Sequence, residues 1–339
     1  MNEQNGFYPP QNEQNFYGAP DLMRLKRAMS EKKEIRLQST FASCAVLTLI
    51  LVQNVSVLLL RLFGLYDRYT ADPLFQAGAE MLIIVLSLLL PFMFFGKMIQ
   101  RHSGLKESLP FEKPKAKGLM PLAIVSGLGF CMVANIVTNV LTTFVSSFGV
   151  ELSSPDIALP QGVFGFIVSL CRIVVLAAII EEISFRGYIM QNLRKFGDGF
   201  AIAMAALVFA LMHCNLIQAP FALIVGFALG YFSIKTGTLW TAVIIHGLNN
   251  SFSLIVSYLN GNVDETLLNY GTSIIIYVLI LASIPCFFAF VRRADAIPSF
   301  KTKTALSSGK KILYYLTTPT MLIAIALMLY FTAQYVKQV

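Results

Sequence analysis

An all-helical bundle of about eight or nine membrane spans is the fold this sequence predicts, and three observations predict it. Hydrophobic residues make up 56% of the 339-residue chain, with 27 phenylalanines and a mean hydropathy of +0.68, above the content of an ordinary soluble domain. The apolar residues gather into about nine runs, each near the roughly 20 residues a helix needs to cross a bilayer. None of these runs is the alternating segment of about ten residues that an outer-membrane barrel would show.

Taken in order, the chain opens on a polar, Pro-punctuated tail. Asn2-Glu3-Gln4-Asn5-Gly6-Phe7-Tyr8-Pro9 recurs approximately as Asn12-Glu13-Gln14-Asn15-Phe16-Tyr17. Such a segment has too little apolar area to fold and is expected to be disordered. It lacks the apolar core and cleavage site of a signal peptide. A basic arm to residue 38 follows, with Arg24, Lys26, Arg27, Lys32, Lys33 and Arg36. Runs near 41–63, 80–99 and 119–149 form an N-terminal helical unit, 39–160. Runs near 161–192, 199–216, 218–234 and 238–259 form a core unit, 161–260, and runs near 268–291 and 312–336 complete 261–339.

Basic residues recur in every second loop. Lys97, Arg101, Lys106, Lys113, Lys115 and Lys117 lie in 97–118, Arg194 and Lys195 in 193–198, and Arg292, Arg293, Lys301, Lys303, Lys310 and Lys311 in 292–311. Lys235 alone supports the return between the sixth and seventh runs. The intervening loops carry Glu151, Asp156, Asp264 and Glu265. By the positive-inside rule the N terminus and the basic loops are cytoplasmic and the C terminus, after nine spans, is outside. The net charge of +8 therefore reads as topology and attraction to anionic lipid, not as nucleic-acid binding. A multi-pass protein of a bacterial plasma membrane is the expected setting. Cys44, Cys131, Cys171, Cys214 and Cys286 lie in or beside apolar runs without CxxC spacing and read as small packing residues. Gly187, Gly226, Gly230 and Gly247, with Ala228, read as close helix packing.

Three polar clusters interrupt the apolar sequence: Glu181-Glu182-Ile183-Ser184-Phe185-Arg186, Phe209-Ala210-Leu211-Met212-His213, and His246-Gly247-Leu248-Asn249-Asn250. Ionisable groups in apolar spans are costly and mark function by default. Glu182 and Arg186, at i and i+4, can pair along one helix face, while Glu181 points about 100° away and stays available as a base. Counted from the cytoplasmic ends, Glu181, His213 and His246 lie at depths of roughly 16, 21 and 12 Å in a core of about 30 Å. A carboxylate and two imidazoles thus converge near mid-membrane from three helices. His246 and Asn250, also i and i+4, can offer two donors to one oxygen. Asn249 is turned away from that face, and Arg172 is free to snorkel, to pair with a glutamate or to meet a substrate carboxylate.

The order EExxxR, FxxxH, HxxxN on successive apolar helices over residues 161–260 resembles the CAAX protease and bacteriocin-processing (CPBP, or Abi) family of intramembrane endopeptidases, relatives of the Ras-converting CAAX proteases. The resemblance implies that Glu181 and His213 activate a water molecule, that His246 and Asn250 stabilise the oxyanion, and that Glu182 and Arg186 complete the first motif. The implied reaction is hydrolysis of a peptide bond in a membrane-embedded or lipidated peptide or protein, with membrane lipids as the other partners. Zinc, held by Glu181, His213 and His246, is the metal alternative; the absence of HExxH, and the loss of the base if Glu181 were a ligand, favour metal-independent glutamate catalysis, with no cofactor committed and zinc left open. A membrane immunity or binding protein, or an ion-coupled transporter, is the rival class; no repeated halves support the transporter.

Overall fold

The computed structural model describes residues 19–104, 109–153, 158–295 and 304–338. The N-terminal repeat, Lys106, Asp156, Lys301 and Lys303 lie outside them. The helices are α1 (Ala19–Leu62), α2 (Tyr66–Ala71), α3 (Pro73–His102), α4 (Leu119–Ser146), α5 (Gly162–Phe196), α6 (Asp198–Met212), α7 (Gln218–Thr236), α8 (Leu239–Leu259), α9 (Glu265–Asp295), α10 (Ser308–Leu316) and α11 (Pro319–Ala333). Local chemistry sets several boundaries. Asp72 Oδ1 accepts from the backbone N–H groups of Leu74 and Phe75 at 3.0 and 3.1 Å, and Pro73 occupies the first turn of α3, where its missing N–H costs nothing. Gly237, at φ +77°, ends α7, and Thr238 caps α8 through Trp240 N–H.

Seven helices among the described residues are long and apolar enough to cross a membrane, and the α10–α11 pair, bent by 73°, brings the count to eight when taken as one broken span. The protein is a multi-pass, all-helical membrane protein. The fifth expected run, 199–216, is different. It forms the 15-residue α6, about 22 Å long and short of a bilayer core. The chain leaves the helix at His213, turns through Cys214 in the left-handed region at φ +51°, and Asn215 Oδ1 accepts from Gln218 N–H at 2.8 Å to start α7. Irregular backbone at this depth is tolerated where it lines a cavity. The last run is likewise broken, at Pro319. The basic residues 24–36 continue as helix into α1.

Two buried clusters hold the bundle. Phe92, Phe185 and Phe209 centre one among α1, α3, α5, α6 and α10–α11, and Met132, Phe232 and Phe290 centre the other among α4, α7, α8 and α9. The outer surface of α9 is apolar, with Leu267, Ile274, Val278, Leu281 and Phe288 exposed, as a lipid-facing helix requires.

The two ends of the bundle differ in how they are tied. At one, Lys195 meets Glu34 at 2.6 Å, Lys311 donates to the Phe196 carbonyl at 2.6 Å, and Lys235 meets Asp295 at 3.3 Å. Leu239 N–H donates to Pro110 O at 2.7 Å at that same end. At the other, Tyr258 hydroxyl donates to Pro160 O at 2.5 Å. There too a short antiparallel ladder, which nothing in the hydropathy pattern announces, joins β1 (Val150–Leu152) to β2 (Val336–Gln338) with Glu151 opposite Lys337.

Candidate active site

The first motif sits in the middle of α5, where wide, π-helical turns at Leu170–Leu176 and Ile183–Met190 flank a regular segment, Ala177–Glu182. Such turns are a frequent accompaniment of functional sites. Glu182 and Arg186 are completely buried and paired at 2.9 Å. The Arg186 guanidinium also lies over the Phe209 ring, 4.4 Å from its centroid, and donates to the Gly226 carbonyl at 3.4 Å. Burial of this cation is thus compensated by a carboxylate, a π face and a backbone oxygen.

Glu182 has a second partner. The same oxygen that takes Arg186 lies 2.9 Å from His246 Nδ1, while Glu181 Oε2 lies 3.7 Å from His246 Nε2. One imidazole from α8 is therefore held between two adjacent carboxylates of α5. Because Glu182 Oε1 accepts, His246 Nδ1 carries a proton and Nε2 faces Glu181. His213, at the C-cap of α6, donates from Nδ1 to the Phe209 carbonyl at 2.8 Å; a carbonyl has no proton to give, so Nε2 is the free nitrogen. The Phe209 ring meets both imidazoles edge-on, with centroids 4.9 Å from His213 and 6.2 Å from His246.

Glu181, His213, His246, Asn249 and Asn250 all line one cavity of about 740 Å³. Asn250 is anchored by one N–H to the Ile173 carbonyl at 2.9 Å, which leaves its second N–H. Asn249 is buried beside it, and its Oδ1 has no hydrogen-bond partner among the described residues. The six expected residues are thus brought together: four line the cavity, and Glu182 and Arg186 support them from behind. Helix arithmetic turned Asn249 away from this face, yet it shares the wall.

Of the three roles the sequence left open for Arg172, the structure shows pairing with a glutamate, while its partners and the rest of the wall escaped the sequence reading. Arg172 pairs with Glu80 of α3, which also accepts from Tyr69 at 3.2 Å and Gln76 at 2.9 Å. Burial first, and then the Glu80 charge, push the Tyr69 phenol up to about 12, so it remains a donor. Gln53, Asn135, Thr138, Asn139 and Gln218 extend the polar wall. No local motif marks them, because they come from helices whose relative placement hydropathy does not encode.

Among the described residues no three His, Cys, Asp or Glu side chains stand close enough to hold a metal ion. His246 has both nitrogens turned to carboxylates. As placed, the Glu181, His213 and His246 set does not fit a zinc site.

Comparison with curated proteins and with solved structures gives no match. Comparison with protein families gives one: residues 163–252 match the family described as type II CAAX prenyl endopeptidase, Rce1-like. That stretch, roughly a quarter of the chain, holds all three motifs and four of the cavity-lining helical segments, and through it the chain is similar to the CAAX protease (CPBP) family.

Proposed function

We propose that this CAAX-type intramembrane protease hydrolyses peptide bonds with Glu181 as the base. The observation that carries the reading is the meeting of Glu181, His213, His246 and Asn250 on one cavity wall. Glu181, with the Nε2 lone pair of His213, draws a proton from water as its oxygen attacks the scissile carbonyl carbon. His246 Nε2 and the second N–H of Asn250 donate to the oxyanion that forms. With Nδ1–H committed to Glu182, donation from Nε2 requires the imidazolium, and Glu182 is its counter-ion. Two carboxylates, Arg186 and this imidazolium then sum to zero charge, the balance a buried cluster needs. When the C–N bond breaks, Glu181 returns its proton to the departing amine, and no covalent enzyme intermediate forms. The substrate is a membrane-embedded or lipidated peptide or protein.

The test compares peptide termini in membranes and medium of cells bearing wild type or Glu181→Gln at equal expression. Termini that vanish in the variant are expected and would name the substrate. Identical termini, under conditions where deletion has a phenotype, would leave a binding or transport protein instead.

A further inference from the structure

The cavity is one-sided. Its lining comes from the second half of α1 (Gln53, Val57), from α2, and from the first half of α3 (Glu80, Ile83, Ile84). It continues through the later part of α4 (Asn135, Thr138, Asn139), α5 only as far as Glu181, the end of α6, and the first turns of α7. On α8 it begins at His246 and runs to Ser253. Every one of these segments points towards the end of the bundle that carries α2 and the β1–β2 ladder. Among the described residues, the lining of this cavity includes none from 97–117, Arg194–Lys195, Lys235 or Lys310–Lys311. Its floor is therefore formed by Glu181 and His246, and its mouth faces away from the basic loops.

Charge separates the two ends as sharply as shape. The closed end holds Lys97, Arg101, Lys113, Lys115, Lys117, Arg194, Lys195, Lys235, Arg292, Arg293, Lys310 and Lys311, besides the basic first half of α1. The described residues at the open end carry Arg61, Arg68 and Lys337 against Asp67, Asp72, Glu151, Asp264 and Glu265. A positive bias of this size sets the cytoplasmic side of a membrane protein.

We propose that the site takes its substrate from the non-cytoplasmic side of the membrane, as an extended polypeptide segment. His246 lies thirteen residues before Leu259, the end of α8 at the open face, or about 20 Å along the helix axis. An extended chain advances about 3.3 Å per residue, so about six residues must lie between the scissile bond and the membrane surface. A folded domain is too wide for a cavity of about 740 Å³; an unwound tail or juxtamembrane segment of an exported or membrane-anchored protein is not. The polypeptide nature of the occupant rests on the endopeptidase reading above, whereas the side of entry rests on shape and charge alone.

The experiment is cysteine labelling in intact cells with a membrane-impermeant, charged maleimide, mapped peptide by peptide by mass spectrometry so that the five native cysteines stay in place. Gln53→Cys, Asn139→Cys, Gln218→Cys and Ser253→Cys report on the mouth, all at exposed positions, and Lys310→Cys, also exposed, reports on the closed end. Mouth cysteines are expected to label in intact cells and Lys310→Cys only after permeabilisation, with at least a tenfold difference in each direction. The reverse pattern overturns the proposal, and so does a mouth that stays unlabelled after permeabilisation. Repeating the labelling in Glu181→Gln separates the two readings. Unchanged peptide termini together with outward labelling would end the protease reading and leave the side of entry standing.

Discussion

Glu182 and His246, 64 positions apart and on different helices, share a hydrogen bond of 2.9 Å on the same carboxylate oxygen that pairs with Arg186. The second glutamate of the first motif is thus placed to orient that imidazole. It holds the imidazole edge-on to Glu181 and fixes which nitrogen faces the cavity.

Glu182→Gln is expected to lower turnover by about 10²-fold or more, because the imidazolium loses its counter-ion, and to destabilise less than Ala, because the amide oxygen still accepts from Arg186 and His246. Glu182→Ala is expected to be worse for the fold, since it strands the buried Arg186, at about 3–5 kcal/mol. Thermal unfolding in detergent beside turnover of the same preparations separates the two effects. Equal destabilisation by both variants would contradict the orienting role.

Asn250→Ala is expected to cost about 10²–10³-fold in turnover, with little change in KM, as loss of an oxyanion donor does. Loss of the bond to Ile173 O should lower stability by only about 1 kcal/mol. A KM rise at unchanged kcat would instead make Asn250 a substrate-binding residue.

Arg172 and Glu80 predict an asymmetry. Glu80 keeps Tyr69 and Gln76 if Arg172 is replaced, so Arg172→Met is expected to be near neutral in thermal stability. Glu80→Ala leaves a buried guanidinium without its carboxylate and is expected to destabilise by about 3–5 kcal/mol. Melting curves in which Arg172→Met is the more damaging change would show that this pair is held together differently.

The glycines of the core are not equivalent. A methyl group at Gly226 would sit 2.9 Å from Ala206 Cβ and 3.1 Å from its Cα, between α7 and α6, with the Arg186 guanidinium 3.5 Å away. Gly226→Ala is expected to destabilise by about 1–3 kcal/mol and to impair turnover through Arg186. At Gly247 the nearest atoms are at 3.7 Å, so Gly247→Ala should be tolerated. Paired melting and activity measurements check both.

The spans and the meeting of the motifs were legible because hydropathy and helical spacing are local quantities. Glu181, His213, His246 and Asn250 fell at compatible depths in helices whose ends the basic loops mark. What escaped were relations between helices. The Glu182–His246 bond depends on the rotation of α5 against α8, and the Arg172–Glu80 pair joins helices that no spacing relates. The end of α6 at His213 was hidden too, since Cys214-Asn215-Leu216 is apolar enough to read as a continuing span, while the turn depends on the Asn215 cap and the left-handed Cys214.

The amide side chains along the wall, Gln53, Asn135, Asn139, Gln218, Asn249 and Asn250, have a consequence for selectivity. Each amide offers a donor and an acceptor together, the complement of a peptide group in either direction. A helix unwinding in hydrocarbon leaves backbone groups bare at several kcal/mol each, and this lining can meet them without reading any side chain. On the endopeptidase proposed above, discrimination between candidate chains falls to how readily a segment gives up its helix, and Gly- or Pro-interrupted stretches are expected to be cleaved ahead of uninterrupted leucine-rich ones of the same length.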